Sequence, residues 1–354
     1  MARVVLLLLA LLAAGLSSAP ASAADKDELP PGIELPMRVR VAVRVLNVLQ
    51  IAEVAGQGKL YVEVTQRWTD PRLRFDAVAQ GFTRIDRVGE EADAYLATVW
   101  TPGLTVDNQI GKPEARTVAV STYSNGNVVL IERYEGLFRF NMNMDAFPFD
   151  TQQLTLSFSL PRYATQDAML LTTEMDRNLS GIEDRLSVID WHPKRLHFTN
   201  QEAMGWNARS YSRLDATVTL QRLSERYLLR IFIPILAILA VSLFVLWSPG
   251  LQANDKGSLI FSSLLALAAL SFTFEASFPG SISLNTPIAQ IISLGYLYLI
   301  LVLMLEVALS RGANSEKGGR LHDVCVALRR QVRWAVPAIM VLVCLGTAVR
   351  AIPA

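Results

Sequence analysis

The segment between Asp255 and Glu275 combines hydroxyl, apolar and acidic side chains in a spacing suited to lining an aqueous path. One set recurs at steps of four and three residues: Ser258, Ser262, Leu265, Ala269, Phe272 and Ala276. Because a helix repeats every 3.6 residues, this spacing places the whole set on one face. Hydroxyls at one end of that face could replace part of an ion's hydration shell, and the apolar residues beyond them could form a constriction.

This face fits two interpretations. Small residues also form packing faces between membrane helices, because they let the backbones approach closely. Charged residues in membrane segments, however, usually face water or the interior of a bundle. Asp255 and Glu275 lie near the two ends of the face. They therefore favour the aqueous path, although the packing face stays possible.

Other kinds of chemistry find little support in the sequence. The chain has two cysteines and three histidines, and their spacing does not match a zinc site. We find neither a glycine-rich phosphate loop nor a nucleophile–base pair. We therefore expect no enzyme activity, no metal ion and no cofactor. The net charge of +1, with no basic block, also argues against a nucleic-acid partner.

Composition divides the chain into exported and membrane parts. The 354 residues are 51% hydrophobic, and most of the apolar runs lie after residue 226. The apolar start ends in Ala21-Ser22-Ala23, which is typical of a cleaved signal peptide over residues 1–23. Residues 24–226 are then expected to form an extracytoplasmic domain. Residues 227–354 form a transmembrane domain with four predicted helices, at about 227–247, 257–277, 283–309 and 333–352.

Charge also predicts the orientation in the membrane. Basic residues cluster between the third and fourth spans: Arg311, Lys317, Arg320, Arg329, Arg330 and Arg333. The positive-inside rule places this loop in the cytoplasm. Four spans then return both termini to the outside, in agreement with the signal peptide. We expect a multi-pass protein of the cell inner membrane with its N-terminal domain in the periplasm.

The exported part predicts an immunoglobulin-like β-sandwich. Alternating runs recur at 38–49, 60–68, 118–123, 127–134, 136–143, 153–160, from 197 onward, and at 210–221. The sequence Ser-Asn-Gly-Asn at 124–127 separates two of these runs and indicates a hairpin. Many short strands with little helical periodicity are typical of a sandwich.

Five ordered motifs resemble the pentameric ligand-gated ion channels, the Cys-loop receptor superfamily. They are WTDPRL at 68–73, WTP at 100–102 followed by Asn108, FPFD at 147–150, Arg222 twelve residues before Pro234, and DKGSLIFSSLL at 255–265. The resemblance covers nearly the whole mature chain. Phe140 and Leu154 stand where many members carry the loop cysteines, and the loop between the third and fourth spans is short. Both departures resemble the bacterial members.

The resemblance implies a homopentamer with a central pore lined by the second membrane helix. The pore residues would be Asp255, Ser258, Ser262, Leu265, Ala269, Phe272 and Glu275. Asp255 would supply the charge that selects cations, while Lys256 would turn away from the pathway. Leu265, Ala269 and Phe272 would form a gate that closes by dewetting. The predicted function is a ligand-gated cation-selective channel that passes monovalent cations and contacts membrane lipids.

The family also implies residues for coupling and for ligand binding. The coupling set is Glu53, Phe147, Pro148, Asp150, Arg222 and Pro279, with Arg222 predicted to contact Glu53 and Asp150. The ligand-binding set, at subunit interfaces, is Tyr61, Glu63, Asp107, Tyr123, Tyr163, Trp206 and Tyr211. Aromatic faces with a carboxylate would suit a protonated amine. Gating by protons or another ion stays open, as does a non-conducting membrane sensor.

Overall fold

The computed structural model describes residues 28–205, 207–248, 250–277, 286–313 and 320–351. The predicted signal peptide, Trp206 and Pro279 lie outside the described residues.

The N-terminal part folds into two β-sheets, as the alternating pattern predicts. The strands are β1 (Met37–Ala52), β2 (Gln57–Thr69), β3 (Arg84–Val88), β4 (Thr105–Val106), β5 (Gln109–Tyr123), β6 (Asn127–Arg139), β7 (Thr151–Ser159), β8 (Ala168–Leu171), β9 (Gly181–Ile182), β10 (Trp191–Met204) and β11 (Ser210–Arg222). The larger sheet has the order β3-β5-β6-β2-β1-β8, with β9 also paired to β1. The smaller sheet has the order β10-β11-β7-β4.

The sandwich core is built from alternate residues of these strands. In β1, Val39, Val41, Val43 and Val45 are fully buried. Because successive side chains of a strand point to opposite faces, this period of two defines the face that packs inward. Trp100 lies in the same core. The core also contains Phe140 and Leu154, which stand where many of the channels that this sequence resembles carry the loop cysteines. In this chain, both positions are therefore filled by apolar packing.

The strand predictions needed correction in two respects. The runs at 127–134 and 136–143 form the single strand β6, Asn127–Arg139. Gly136 continues this strand, since it pairs with Leu60 of β2, and the ring of Phe138 lies so close that a Cβ atom at Gly136 would be 2.6 Å from Phe138 Cζ. Strands β3, β4, β8 and β9 were not predicted. The last three have only two to four residues each, and the residues of β3 are exposed or half-buried, so they lack a strong apolar alternation.

Short helices interrupt the sandwich, and long ones follow it. The short ones are α1 (Ala77–Gln80), α2 (Glu90–Leu96) and α3 (Glu174–Asn178). After β11 come α4 (Glu225–Tyr227), a π-helical turn (Leu228–Phe232), α5 (Ile233–Trp247), α6 (Ala253–Ser277), α7 (Pro287–Ala313) and α8 (Arg320–Ala351).

Within the described residues, three helical stretches are long and apolar enough to cross a membrane. They are Glu225–Trp247, Ala253–Ala276 and Pro287–Arg311. The fourth predicted span, 333–352, falls largely within α8, and its crossing stays a prediction.

The long helices pack as a bundle in which α5, α6 and α7 all contact one another. Gly295 of α7 lets these helices approach closely. A Cβ atom at this position would lie 3.2 Å from Leu267 of α6 and 3.4 Å from Leu239 of α5. Both leucines belong to the apolar core of the bundle. One face of α6 is therefore fixed against its neighbours.

Candidate functional site

Arg222 ends the last strand of the sandwich and comes just before the first membrane helix. Its backbone pairs with Trp191 of β10, and its side chain is fully buried. A buried guanidinium needs compensating charge and hydrogen bonds, because losing its hydration is costly. The groups around Arg222 must therefore offset the cost of burying its charge at the boundary between the sandwich and the helices.

Two carboxylates hold the guanidinium. Arg222 Nε donates to Asp150 Oδ1 at 2.7 Å, and Nη2 donates to Asp150 Oδ2 at 3.2 Å. Nη1 donates to Glu53 Oε1 in the β1–β2 turn at 3.1 Å. Burial is the largest single influence and works to lower the pKa of Arg222, but the hydrogen bonds and charge of Asp150 and the hydroxyl of Tyr227 together outweigh it and hold the pKa above its ordinary value. The predicted contact of Arg222 with both carboxylates is present.

Aromatic rings surround the same guanidinium. Its Cζ lies 4.1 Å from the ring centroid of Trp191, 4.7 Å from that of Phe147 and 5.6 Å from that of Tyr227. Such rings attract a cation through their negative faces. Tyr227 also accepts a hydrogen bond from Arg222 Nη1 at 3.3 Å and donates to Asp190 at 3.4 Å. The cluster thus binds the end of the sandwich to α4.

The loop that carries Asp150 also reaches the helix bundle. Phe147 is fully buried and belongs to the core of the bundle, not to that of the sandwich. Its ring lies 5.2 Å from Tyr227 and 5.8 Å from Phe274 of α6. Pro148 is buried beside it, and Asp150 accepts a hydrogen bond from Gln152 Nε2 at 2.6 Å. One short loop therefore contacts both Arg222 and the far end of α6.

The predicted pore residues, which we call the stripe, are all exposed on α6. All seven members are exposed on the single chain: Asp255, Ser258, Ser262, Leu265, Ala269, Phe272 and Glu275. Leu265 and Phe272 keep 73% and 77% of their surface, which is high for large apolar side chains. On the opposite face, Ile260 and Leu267 are fully buried. The single chain thus leaves this stripe uncovered.

The predicted ligand residues divide between the two sheets. Tyr61, Glu63 and Tyr123 lie on β2 and β5 of the larger sheet. Tyr211 lies on β11 of the smaller sheet, and Asp107 follows β4, which belongs to that sheet too. The two groups therefore do not meet as one site on a single sheet of the chain.

Several of these residues already have partners within the chain. Glu63 is buried and accepts a hydrogen bond from Arg133 Nε at 2.5 Å. The Tyr163 hydroxyl accepts from Trp100 Nε1 at 2.8 Å, inside the sandwich core.

Asp107 and Tyr211 likewise have partners within the chain. Asp107 accepts from Ser159 Oγ at 2.5 Å. Tyr211 accepts from Asn207 Nδ2 at 2.8 Å. Contacts of these residues with a ligand stay predictions.

Sequence reasoning placed Phe147 in the coupling set but missed the other two aromatic residues of the cluster, Trp191 and Tyr227. Trp191 reaches Arg222 only through the pairing of β10 with β11, which a sequence alone does not specify. Tyr227 follows Arg222 by five residues and offered a signal, since a tyrosine at a membrane boundary is typical of an interfacial anchor.

Comparison with known proteins bears on this arrangement. Residues 24–224 match the family described as the neurotransmitter-gated ion-channel ligand binding domain. The chain belongs to this family of ligand-gated ion channels. The members of this family form pentamers and are gated by small ligands or protons. The matched region covers the whole sandwich and ends two residues after Arg222.

The relatives of this chain include both prokaryotic and animal proteins. The chain is 25% identical over 251 residues to a proton-gated ion channel of Gloeobacter violaceus, covering 71% of this chain and 67% of the relative. It is 25% identical to a glutamate-gated chloride channel of Drosophila melanogaster, covering 70% of this chain and 53% of the relative. It is 26% identical to the human neuronal acetylcholine receptor subunit beta-3, covering 67% of this chain and 50% of the relative. The chain thus spans about half the length of the two animal relatives.

We predict that Arg222→Ala destabilises the protein by about 3–5 kcal/mol, because it leaves Asp150 buried without its cation. Arg222→Lys should not restore stability, since one ammonium cannot replace the forked donors. Thermal unfolding and size-exclusion chromatography of the detergent-solubilised protein measure the loss. Arg226→Ala is the matched control. Its side chain is half exposed and pairs with Asp190 at 3.4 Å, so about 0–1 kcal/mol is expected. Equal losses in the two alanine variants would contradict this role of Arg222.

Proposed function

We propose that the chain forms a homopentameric cation-selective channel in the cell inner membrane, opened by a small ligand or by protons. Residues 24–226 would form the periplasmic domain, and residues 227–354 would form the membrane domain. The observation that carries the proposal is the exposed stripe of α6, which begins with an acid and two hydroxyls and continues with apolar side chains. A membrane-spanning face of this kind needs water or protein against it.

A fivefold arrangement would place this stripe around a common axis. Five Asp255 carboxylates would then lie at one mouth of the path, where they would attract cations and repel anions. Lys256, the neighbouring residue, is only 3% exposed and does not share the stripe. Family membership leaves the sign of the permeant ion open, because the relatives include a chloride channel. The case for cations rests on Asp255.

The division of the ligand residues between two sheets supports binding at subunit interfaces. In a ring, the larger sheet of one subunit could face the smaller sheet of the next, and each would contribute half of a site. Glu63 is paired with Arg133, so its charge is already compensated. Attraction of an amine would therefore depend mainly on the faces of the tyrosine rings. The proton-gated relative supports protons as the second candidate stimulus.

The loop that contains Phe147 and Asp150 would couple ligand binding in the sandwich to opening of the pore. This loop contacts Arg222 on the sandwich side and Phe274 of α6 on the membrane side. A displacement of the sandwich relative to the membrane would therefore be transmitted to the outer end of α6. Pro279, in the segment after α6, is proposed to receive part of the same displacement.

We predict that Asp255→Ala lowers the cation-to-anion permeability ratio and the single-channel conductance by about two- to tenfold, because the mouth loses its ring of negative charge. Reversal potentials in a sodium chloride gradient across proteoliposomes measure the ratio. Asp323→Ala is the matched control, since this exposed carboxylate lies in the first turn of α8 and not on the stripe. Wild-type protein that reverses at the chloride potential would contradict cation selectivity.

We predict that Leu265→Ser opens the channel more readily. A hydroxyl in a narrow apolar ring lets water remain there, which stabilises the open state. We expect leak current without stimulus, or half-maximal activation at about one tenth of the wild-type stimulus, a shift of about 1.4 kcal/mol.

The neighbouring leucine provides the control for this variant. Leu264 lies about 100° around the helix and packs against the core of the bundle. Leu264→Ser should therefore reduce expression without leak. Leak from Leu264→Ser and none from Leu265→Ser would place the stripe in a different register.

A further inference from the structure

A buried ion network holds the inner end of α6. Lys256 is 3% exposed although it directly follows the exposed Asp255. Its ammonium donates to Glu306 Oε1 on α7, and the same oxygen accepts from Arg329 Nη2 on α8. Glu306 is itself 4% exposed. Helices α6, α7 and α8 therefore meet at the carboxylate of Glu306. Lys256 and Glu306 are 50 residues apart in the sequence.

The position of this ammonium matters because of the charge beside it. Successive residues of a helix lie about 100° apart, so Lys256 is one step around the helix from Asp255. A lysine has a long, flexible stem and a compact charge. Without a fixed partner, the ammonium could turn toward the carboxylate of Asp255 or toward the path. Five such ammonium groups would offset five carboxylates at the mouth.

We propose that Glu306 is a positioning residue for ion selectivity. It holds the Lys256 ammonium between α6, α7 and α8, so that the Asp255 carboxylates alone set the charge at the mouth of the path. The inference rests on the proposed cation channel and adds a residue that acts through Lys256 without touching the permeant ion.

Arg329 has a different part in the network. Its side chain is 27% exposed, and it belongs to α8, which lies outside the path in the proposed arrangement. Removing the Arg329 side chain leaves the pair of Lys256 and Glu306 intact. Arg329→Gln is therefore the matched control, since it takes a charge from the same carboxylate without releasing the lysine.

The test compares permeability ratios in a sodium chloride gradient across proteoliposomes. Glu306→Gln should lower the cation-to-anion ratio by about tenfold, the lower end of the range over which charge focuses ions in a cleft. The double variant Lys256→Met with Glu306→Gln should restore the wild-type ratio, because no ammonium is left to turn. Lys256→Met alone and Arg329→Gln should both keep the wild-type ratio.

Each outcome decides the inference. A wild-type ratio in Glu306→Gln would overturn it, and so would a double variant that stays as low as Glu306→Gln. A marked rise of the ratio in Lys256→Met alone would show that ions already sense the lysine, which also overturns it. If Glu306→Gln does not assemble, Glu306→Asp withdraws the carboxylate by one methylene, and the same comparison with Lys256→Met applies.

Failure of the proposed function gives a different result. Anion currents in the wild type would contradict cation selectivity, whereas the inference is judged by the difference between the single and double variants. A wild type without any current would overturn both.

Discussion

The buried Arg222 guanidinium, paired with Asp150 and Glu53, joins the sandwich to the membrane helices. It lies where the last strand becomes the first membrane helix, and its partners come from the β1–β2 turn and from the loop before β7. An uncompensated charge at this depth is strongly unfavourable, so the three segments are held together. The sandwich cannot move at this point without moving the loop that also contacts α6.

Helix α6 is constrained in a complementary way. One face packs into the bundle, where Gly295 of α7 permits close approach, and the other face is exposed on the single chain. Its outer end contacts Phe147 through Phe274, and its inner end is held by Glu306 through Lys256. Both ends are thus tied to neighbours by side chains that point away from the open stripe. In the proposed channel, one face of this helix would line the ion pathway, and the other would transmit a displacement of the sandwich.

The sequence predicted the fold well where the pattern was periodic. The long strands follow their alternation, as in β1, and the stripe of α6 follows its helical spacing. The pair of Arg222 and Asp150 came from the family resemblance and is confirmed by the geometry. Contacts that depend on strand register or helix packing could not be predicted. Trp191 stacks on Arg222 only because β10 pairs with β11 in one register, and Glu306 meets Lys256 only because α6 and α7 pack at a particular rotation.

We propose that the exposed stripe of α6 faces water, and the accessibility of cysteines introduced along this helix would show whether it does. Cysteine is introduced singly along α6 in a background where Cys325 and Cys344 are replaced by serine, and a charged thiol reagent is applied to the assembled protein. Charged reagents modify thiols in water and not in lipid or in a packed core. We expect modification at the stripe positions 258, 262, 265 and 269, and protection at the buried positions 260, 263 and 267. Protection along the stripe, or modification at the buried positions instead, would contradict it.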